Sequence, residues 1–405
     1  MSSVRVLLLS DWMTEPGGSE AYMALVRDAL RSAGDEVRLL TCGARDAAVG
    51  VADQRAWGTD RVVPQAFLQV DNPFATTEVR KSIREFQPDV ALLGPFAYHL
   101  SPGVAFALNG VPTVLSIMDY KVVCPLGSKL LPDGKICQKP AGLVCWRGGC
   151  VPLPHWLRDQ ARYARIRRGV DRADVVLVPS VAVREELARH GIVSRVLPLP
   201  IAAAPSPERK RAATPVFVYS GRLVPEKGLP QLLRAFARVR ARVPDARLRL
   251  VGDGGMRTDL QRLVVSLGLQ GAVVFRGRLP FSRVEQELVD AWALVAPSLW
   301  AEPFGMVAPE AIVRQVPVIA SRTGGFADTV VDGVTGLLVP NGDESALADA
   351  MMAVAERRRF SEPMLPADAV AELVQRHDGS RYAARLRDVF TEILAPPRRR
   401  GAADT

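Results

Sequence analysis

Apolar runs of about five residues recur along this chain, and each gives way to a loop rich in glycine or proline and then to an amphipathic stretch. Val4–Ser10, Val37–Thr41, Asp89–Leu93, Thr113–Ile117, Asp174–Pro179 and Arg195–Leu199 are the first six. Between the first two, Ser19–Ala33 has helical periodicity. A run that short with no polar alternation predicts a strand buried on both faces, and such strands belong to parallel sheets covered by helices. The segment from Leu197 to Pro215, LPLPIAAAPSPERKRAATP, then interrupts the alternation with breakers and reads as a linker, taken as 198–215.

After the linker the pattern restarts. Strands are expected at Val216–Ser220, Ala246–Val251, Ala272–Phe275, Ala293–Ala296 and Val316–Ala320. Helices are expected at Leu229–Arg242, Met256–Leu267, Arg283–Ala291, Pro309–Val313, Ser345–Arg357 and Ser380–Leu394. The expectation is α/β: two doubly wound, Rossmann-like domains facing across a cleft, the first over residues 1–197 and the second over 216–375. Residues 376–405 form a last helix and tail packing back on the first domain. A chain of 405 residues can bury two full cores, so neither a disulfide nor a metal is required for stability. In such sheets ligands bind beyond the carboxyl ends of the strands, so chemistry is expected in the loops that follow them.

Two features test for membrane or export signals. Val4–Leu9 is too short for a signal-peptide core, and the uncharged stretch Val90–Met118 is interrupted by Pro95, Pro102 and Pro112. Two buried strands around a short helix explain that stretch, and the expected placement is cytoplasmic, with no anchor of its own. The net charge of +9 is concentrated: between Lys121 and Arg172 eleven basic residues face only Asp133, Asp159 and Asp171. Segment 156–172 therefore reads either as a solvated helix or as a peripheral contact with an anionic membrane at its inner face. Nucleic acid is not expected as a partner, because aromatic residues are not interleaved with the basic ones.

Four loops carry candidate chemistry. Pro16-Gly17-Gly18-Ser19-Glu20 joins the first strand to its helix, where glycines permit close backbone approach and a helix start offers amides to an anion. Gly252-Asp253-Gly254-Gly255 approaches a dinucleotide fingerprint, but no acidic residue follows at the required distance. Ser220-Gly221-Arg222-Leu223-Val224-Pro225-Glu226-Lys227-Gly228 sets Arg222 and Lys227 at the mouth of a helix, a pair of cations suited to a diphosphate. In Pro297–Ala311, Glu302 and Glu310 flank a stretch whose amides at Gly305, Met306 and Val307 can face phosphate oxygens. Carboxylates beside phosphate make sense as acceptors of hydroxyl hydrogen bonds from a sugar and a ribose.

The Glu-x7-Glu spacing, with Gly-Arg-Leu and Glu-Lys-Gly upstream, Gly-Gly-Ser-Glu near the start and VPVIASRTGGFADTVVDGVTGLLVP from Val316 to Pro340, resembles the retaining GT-B glycosyltransferases of family 4 over nearly the whole chain. The resemblance implies a nucleotide-diphosphate-sugar donor as co-substrate, held mainly by the C-terminal domain, and a hydroxyl acceptor on the N-terminal one. That acceptor is a saccharide, a lipid-linked sugar or a secondary metabolite. It implies that Arg222 and Lys227 contact the diphosphate, Glu302 the donor sugar, Glu310 the ribose, and Gly17 and Gly18 the phosphates from across the cleft. Phe304 to Val307 would line the donor and Arg278 would lie near its base. Asp119 is the acceptor-side candidate in catalysis, with Glu302, Lys227 and Arg222. Retention implies front-face attack, the leaving phosphate oxygen helping to deprotonate the acceptor. A non-catalytic nucleotide-sugar-binding subunit and a sugar-nucleotide epimerase are the alternatives.

No Asp-x-Asp triplet occurs, so no catalytic metal and no other cofactor is expected; amides and cations would offset the departing charge. Met118 stands where relatives often have His, and Gln315 and Asp328 where they often have Gly and Glu. Within an insert at 119–153, Cys124, Cys137, Cys145 and Cys150 are separated by twelve, seven and four residues, which leaves structural zinc, free thiols and disulfides all open. Cys42 is expected as a small buried hydrophobe.

Overall fold

The structure, a computed structural model, describes residues 3–11, 18–42, 52–59, 61–201 and 209–395. The early part of the chain forms a seven-stranded sheet of β1 (Arg5–Ser10), β2 (Glu36–Cys42), β3 (Gln54–Ala56), β4 (Val90–Leu93), β5 (Thr113–Ser116), β6 (Val175–Val178) and β7 (Arg195–Val196), in the order β3-β2-β1-β4-β5-β6-β7. All of its pairings are parallel. A six-stranded sheet follows from β8 (Val216–Ser220), β9 (Arg247–Val251), β10 (Val273–Gly277), β11 (Ala293–Ala296), β12 (Val318–Ser321) and β13 (Gly336–Val339), ordered β10-β9-β8-β11-β12-β13 and again parallel.

Both faces of each sheet are buried. Successive side chains of β1 point to opposite faces, so Leu7 and Leu9 join one core with Leu93, Val104 and Ile166, while Val6 and Leu8 join another with Val26, Leu92 and Leu386. Residues 90–118 form β4, the helix Gly103–Ala107 and β5, the two strands around a short helix that the prolines suggested. Among the described residues no helix is long and apolar enough to cross a membrane.

After the second sheet the chain returns to the first. The helix Gly379–Leu394 lies on the helix Gly18–Ser32, where the hydroxyls of Tyr22 and Tyr382 are 2.7 Å apart in a buried setting. Tyr22 also reaches Ser116 Oγ at 3.1 Å, at the end of β5. His377 accepts from Ile201 N through its carbonyl and bonds Leu199 O through Nδ1, which ties the return segment to the residues following β7.

The two sheets meet through the ends of their strands. Trp300, just beyond β11, packs in the first sheet's core and stands edge-on to Tyr120 at 6.3 Å. Phe304 and Met306 pack with the cluster that holds Tyr22, Tyr382 and Met118. The Asp328 carboxylate accepts from Val181 N at 2.8 Å, where a helix leaves β6. The carboxyl ends of both sheets therefore face one seam, and the loops between 297 and 306 are part of it.

Candidate active site

Lys227 ends a short 3-10 turn, Pro225–Lys227. The next residue, Gly228, has φ +69°, and a Cβ there would stand 2.0 Å from Pro297 O, so the Lys227 loop lies directly against the residue leaving β11. Leu299 N donates to Glu226 O at 2.8 Å and holds the two loops together. The result brings Lys227 and Glu302, 75 residues apart in sequence, into one ion pair: Nζ donates to both carboxylate oxygens at 2.9 and 2.8 Å.

Glu302 takes two further hydrogen bonds, from Ser298 Oγ at 2.9 Å and Trp300 Nε1 at 2.8 Å. Lys227 Nζ also lies 5.4 Å from the Trp300 ring, a second electrostatic restraint on the cation. The backbone beneath Glu302 is fixed as tightly. Gly325 N donates to Glu302 O at 2.7 Å, and Gly324 (φ +58°) approaches so closely that a Cβ would be 2.0 Å from that oxygen. These restraints place a carboxylate and an ammonium at the seam with little rotamer freedom, which is what a charged reaction centre requires.

Beyond Glu302 the chain turns through Gly305 into the helix Val307–Ile312, and the amides of Gly305, Met306 and Val307 donate to no partner among the described residues. Glu310 lies on that helix, half-buried. Burial pushes its carboxyl up to about 7 against the opposing charge of Arg314, and neighbouring Glu285 raises it further. Arg314 donates to Glu310 O at 2.7 Å while its other nitrogen pairs with Glu285, so the guanidinium is shared between the helix backbone and a second carboxylate.

Arg222, on the same loop as Lys227, is 65% exposed in its side chain and pairs with Glu226 at 3.2 Å. Phe304 is 4% exposed and packed in the seam, its ring 5.4 Å from His377, so its side chain is not available to line a donor. Arg278 lies exposed in the loop after β10. Gly18 opens the first helix, while Gly17 falls outside the described residues. On the opposite wall Asp119 accepts from Lys121 N at 2.8 Å, with Lys121 Nζ at 3.4 Å. Met118 receives Ser116 Oγ at 3.7 Å on its sulfur and packs against the seam cluster.

One residue of this wall escaped the sequence reading. Asp11, immediately after β1, is buried and accepts three amides in a row: Tyr98 at 2.8 Å, His99 at 2.9 Å and Leu100 at 2.8 Å. Desolvation raises its carboxyl to about 6, although those bonds and Lys121 oppose the shift. Asp11 thereby shapes the loop after β4. A lone carboxylate at the carboxyl end of an apolar strand was the available signal.

The four insert cysteines are all free thiols, which removes the disulfide reading. Among the described residues no group of three His, Cys, Asp or Glu side chains is arranged to hold a metal ion. An ion pair anchors the insert instead: Lys129, 2% exposed in its side chain, meets Glu186 at 2.8 Å and donates to Lys139 O at 2.9 Å. Cys42 is buried in the apolar core, as expected. Segment 156–172 falls mostly in the helix Leu153–Val170, and part of its charge is internally satisfied: Arg162 is buried against Ala97 O, and Arg158 holds Asp159.

Comparison with known proteins agrees with this geometry. Residues 17–202 match the model described as a glycosyl transferase 4-like domain, and residues 202–364 match the one for glycosyl transferases group 1. The chain is 37% identical over 180 residues to a GDP-mannose-dependent alpha-(1-6)-phosphatidylinositol monomannoside mannosyltransferase of Mycolicibacterium smegmatis, covering 43% of this chain and 47% of that protein. It is 34% identical over 195 residues to a D-inositol 3-phosphate glycosyltransferase of Streptomyces griseus, covering 46% and 41%. The matches thus span about half the length of these curated relatives or less. Sucrose-phosphate synthase from Thermosynechococcus elongatus shares the fold at a TM-score of 0.73 and 21% identity, over 96% of this chain and 99% of that one. Anabaena HepE, solved with UDP and glucose, does so at 0.69 and 18%, over 96% and 100%. With two matching domain models that follow one another along the chain and a two-sheet architecture shared over its length, the chain belongs to the GT-B glycosyltransferases of family 4, glycosyl transferases group 1.

Proposed function

We propose that this chain transfers a sugar from a nucleotide-diphosphate-sugar donor to an acceptor hydroxyl, with retention at the anomeric carbon. The observation that carries the reading is the Lys227–Glu302 pair, held by Ser298 and Trp300 beside the unused amides of 305–307. In the free protein each charge neutralises the other. A donor entering the seam replaces that pairing: Lys227 turns to the diphosphate, and Glu302 accepts from hydroxyls of the donor sugar.

The chemistry then follows from the charges. As the bond between anomeric carbon and phosphate oxygen breaks, negative charge builds on the diphosphate, where an ammonium and backbone amides stabilise it without a divalent ion. Arg222 lies on the same rim and can swing from Glu226 to a phosphate, since its side chain is solvated. In this reading the acceptor attacks from the face the leaving group vacates, and an oxygen of the departing phosphate takes its proton. Glu310 accepts from the ribose, and Arg278 lies toward the base. Asp119 and the loop shaped by Asp11 line the acceptor wall. The acceptor is a saccharide, lipid-linked sugar or secondary metabolite, and the placement we propose is cytoplasmic.

The relatives named above act, by their names, on inositol-containing acceptors, and one of them uses GDP-mannose. That supports a sugar–nucleotide donor and a hydroxyl acceptor here without choosing between bases. The test is incubation of the purified chain with UDP-, GDP-, ADP- and dTDP-sugars, reading release of the nucleoside diphosphate. Release from at least one donor is expected, with Glu302→Gln losing most of it while staying folded. Binding of a donor without any turnover would leave a non-catalytic binding subunit.

A further inference from the structure

A surface away from the donor residues carries an inference that does not depend on the transfer reaction. The insert helix Leu143–Arg147 lies on the first turns of the helix Leu153–Val170, joined by Trp156 Nε1 donating to Gly142 O at 2.9 Å and by the Trp146 and Trp156 rings at 6.3 Å. Pro125 lines the same hollow as Gly142, Val151 and Trp156, which brings Leu126 to this surface. There the chain exposes Leu126 (48%), Leu143 (41%), Trp146 (38%), Leu153 (40%) and Leu157 (58%). Leu153 and Leu157 are four residues apart and share one helix face, as do Leu143 and Trp146 at a spacing of three. Single exposed leucines are ordinary; a contiguous set with a tryptophan marks a contact surface.

The charge around the patch names the partner. Lys139 and Arg147 are exposed beside it and Arg168 lies further along the helix; none of the three is paired with a carboxylate among the described residues. Asp159, in the second turn of the helix Leu153–Val170, is buried and already holds Arg158 and Arg162. An apolar face with tryptophan and leucine, rimmed by cations that pair with no carboxylate among the described residues, is complementary to a membrane interface carrying anionic headgroups. Its position agrees. The helix Leu153–Val170 leads into the start of parallel β6, so its first turns lie at the carboxyl ends of the strands, on the rim that bears Asp119.

We infer that this face docks the protein on an anionic lipid bilayer, with the insert helix and the first turns of the helix Leu153–Val170 lying in the interface plane. The test is co-sedimentation of the full chain with phosphatidylcholine vesicles, with and without phosphatidylglycerol. Binding to the anionic vesicles is expected, falling with added salt. Lys139→Glu with Arg147→Glu should lower it about tenfold or more, given the attraction each cation contributes near an anionic surface. Leu143→Ser, Trp146→Ser and Leu157→Ser together should abolish it. Should the apolar variant fail to fold, the charge-reversal variant alone decides, because both of its side chains are solvated. The inference is overturned if wild type ignores both vesicles or binds them equally. It is also overturned if the folded variants bind as wild type does, or if sedimentation without lipid shows a dimer that the variants dissolve, which would make the face a contact between copies.

Discussion

Replacing Lys227 by Met removes the ammonium but keeps the length and most of the volume of the side chain, and its consequences divide cleanly between stability and turnover. Glu302 would keep two of its donors, Ser298 Oγ at 2.9 Å and Trp300 Nε1 at 2.8 Å, and would lose both bonds from Nζ. A fully buried carboxylate stripped of its cation costs about 3–5 kcal/mol. Here the partners are 17% and 10% exposed in their side chains, and with two donors remaining the cost falls to about 1–3 kcal/mol. At roughly 2–4 °C per kcal/mol for a domain of this size, the melting temperature should drop by about 2–12 °C. Turnover should drop far more, by about 10²–10³-fold, if the same cation stabilises the departing diphosphate. The double variant Lys227→Met with Glu302→Gln separates the roles, because it removes the unpaired charge as well. Its melting temperature should recover most of the loss while its turnover stays low. Calorimetry together with nucleoside-diphosphate release measures both. If the double variant regains activity along with stability, or if Lys227→Met turns over like wild type, the pair is structural and the reasoning fails.

Further outcomes follow from other contacts. Gly324→Ala forces a Cβ toward Glu302 O at a positive φ, so at least a tenfold loss of kcat/KM with a lowered melting temperature is expected; an unchanged rate would show that the Glu302 backbone is not held there. Glu310 and Asp11 sit at about 7 and about 6 in the folded chain, above their ordinary 4.5 and 3.8, so the folded state holds extra protons and their contribution is complete at low pH and lost as pH rises through those values. The melting temperature of Glu310→Gln should therefore fall less between pH 5 and 8 than that of wild type, and parallel curves would contradict the shift. Tyr382→Phe removes the hydroxyl 2.7 Å from Tyr22 and leaves Tyr22 with Ser116 alone, which should cost about 1 kcal/mol in urea denaturation; no change would mean that contact contributes nothing.

The layered α/β architecture was legible because its strands are short, apolar and separated by breakers, a pattern that depends only on neighbours in sequence. Val216–Ser220, Ala293–Ala296 and the helix Leu229–Arg242 fall where periodicity put them. What periodicity missed lacks such a pattern. Gln54–Ala56 is a three-residue edge strand whose only warrant is its pairing with β2, and Gly336–Val339 opens on a glycine inside a turn-like stretch. The helices Val62–Leu68, Pro73–Phe86 and Ala367–Arg376 went unread as well, and the first leaves its apolar residues Val62, Val63 and Phe67 exposed.

The site was legible in its loops and not in its pairings. Glu302 and Lys227 could be named from their motifs, but that they hold each other depends on Gly228 lying against Pro297, a contact across 69 residues that no local pattern encodes. Spacing likewise set Arg222 near Lys227 at the mouth of a helix, but could not show that its solvated side chain pairs with Glu226. Phe304 looked like a lining residue by its place in the motif, and the packing of the two domains claims it instead. Asp11 acts through three amides more than 80 residues away, which only the fold brings within reach.

The most direct measurement is a crystal structure of the chain soaked with the nucleoside diphosphate that raises its melting temperature most. We expect the β-phosphate about 3 Å from Lys227 Nζ and from the amides of Met306 and Val307, with the Lys227–Glu302 bond opened and the Glu302 carboxylate turned to the vacant sugar position. A nucleotide bound elsewhere on the chain, or one bound at the seam while Lys227 and Glu302 stay locked together, would contradict it.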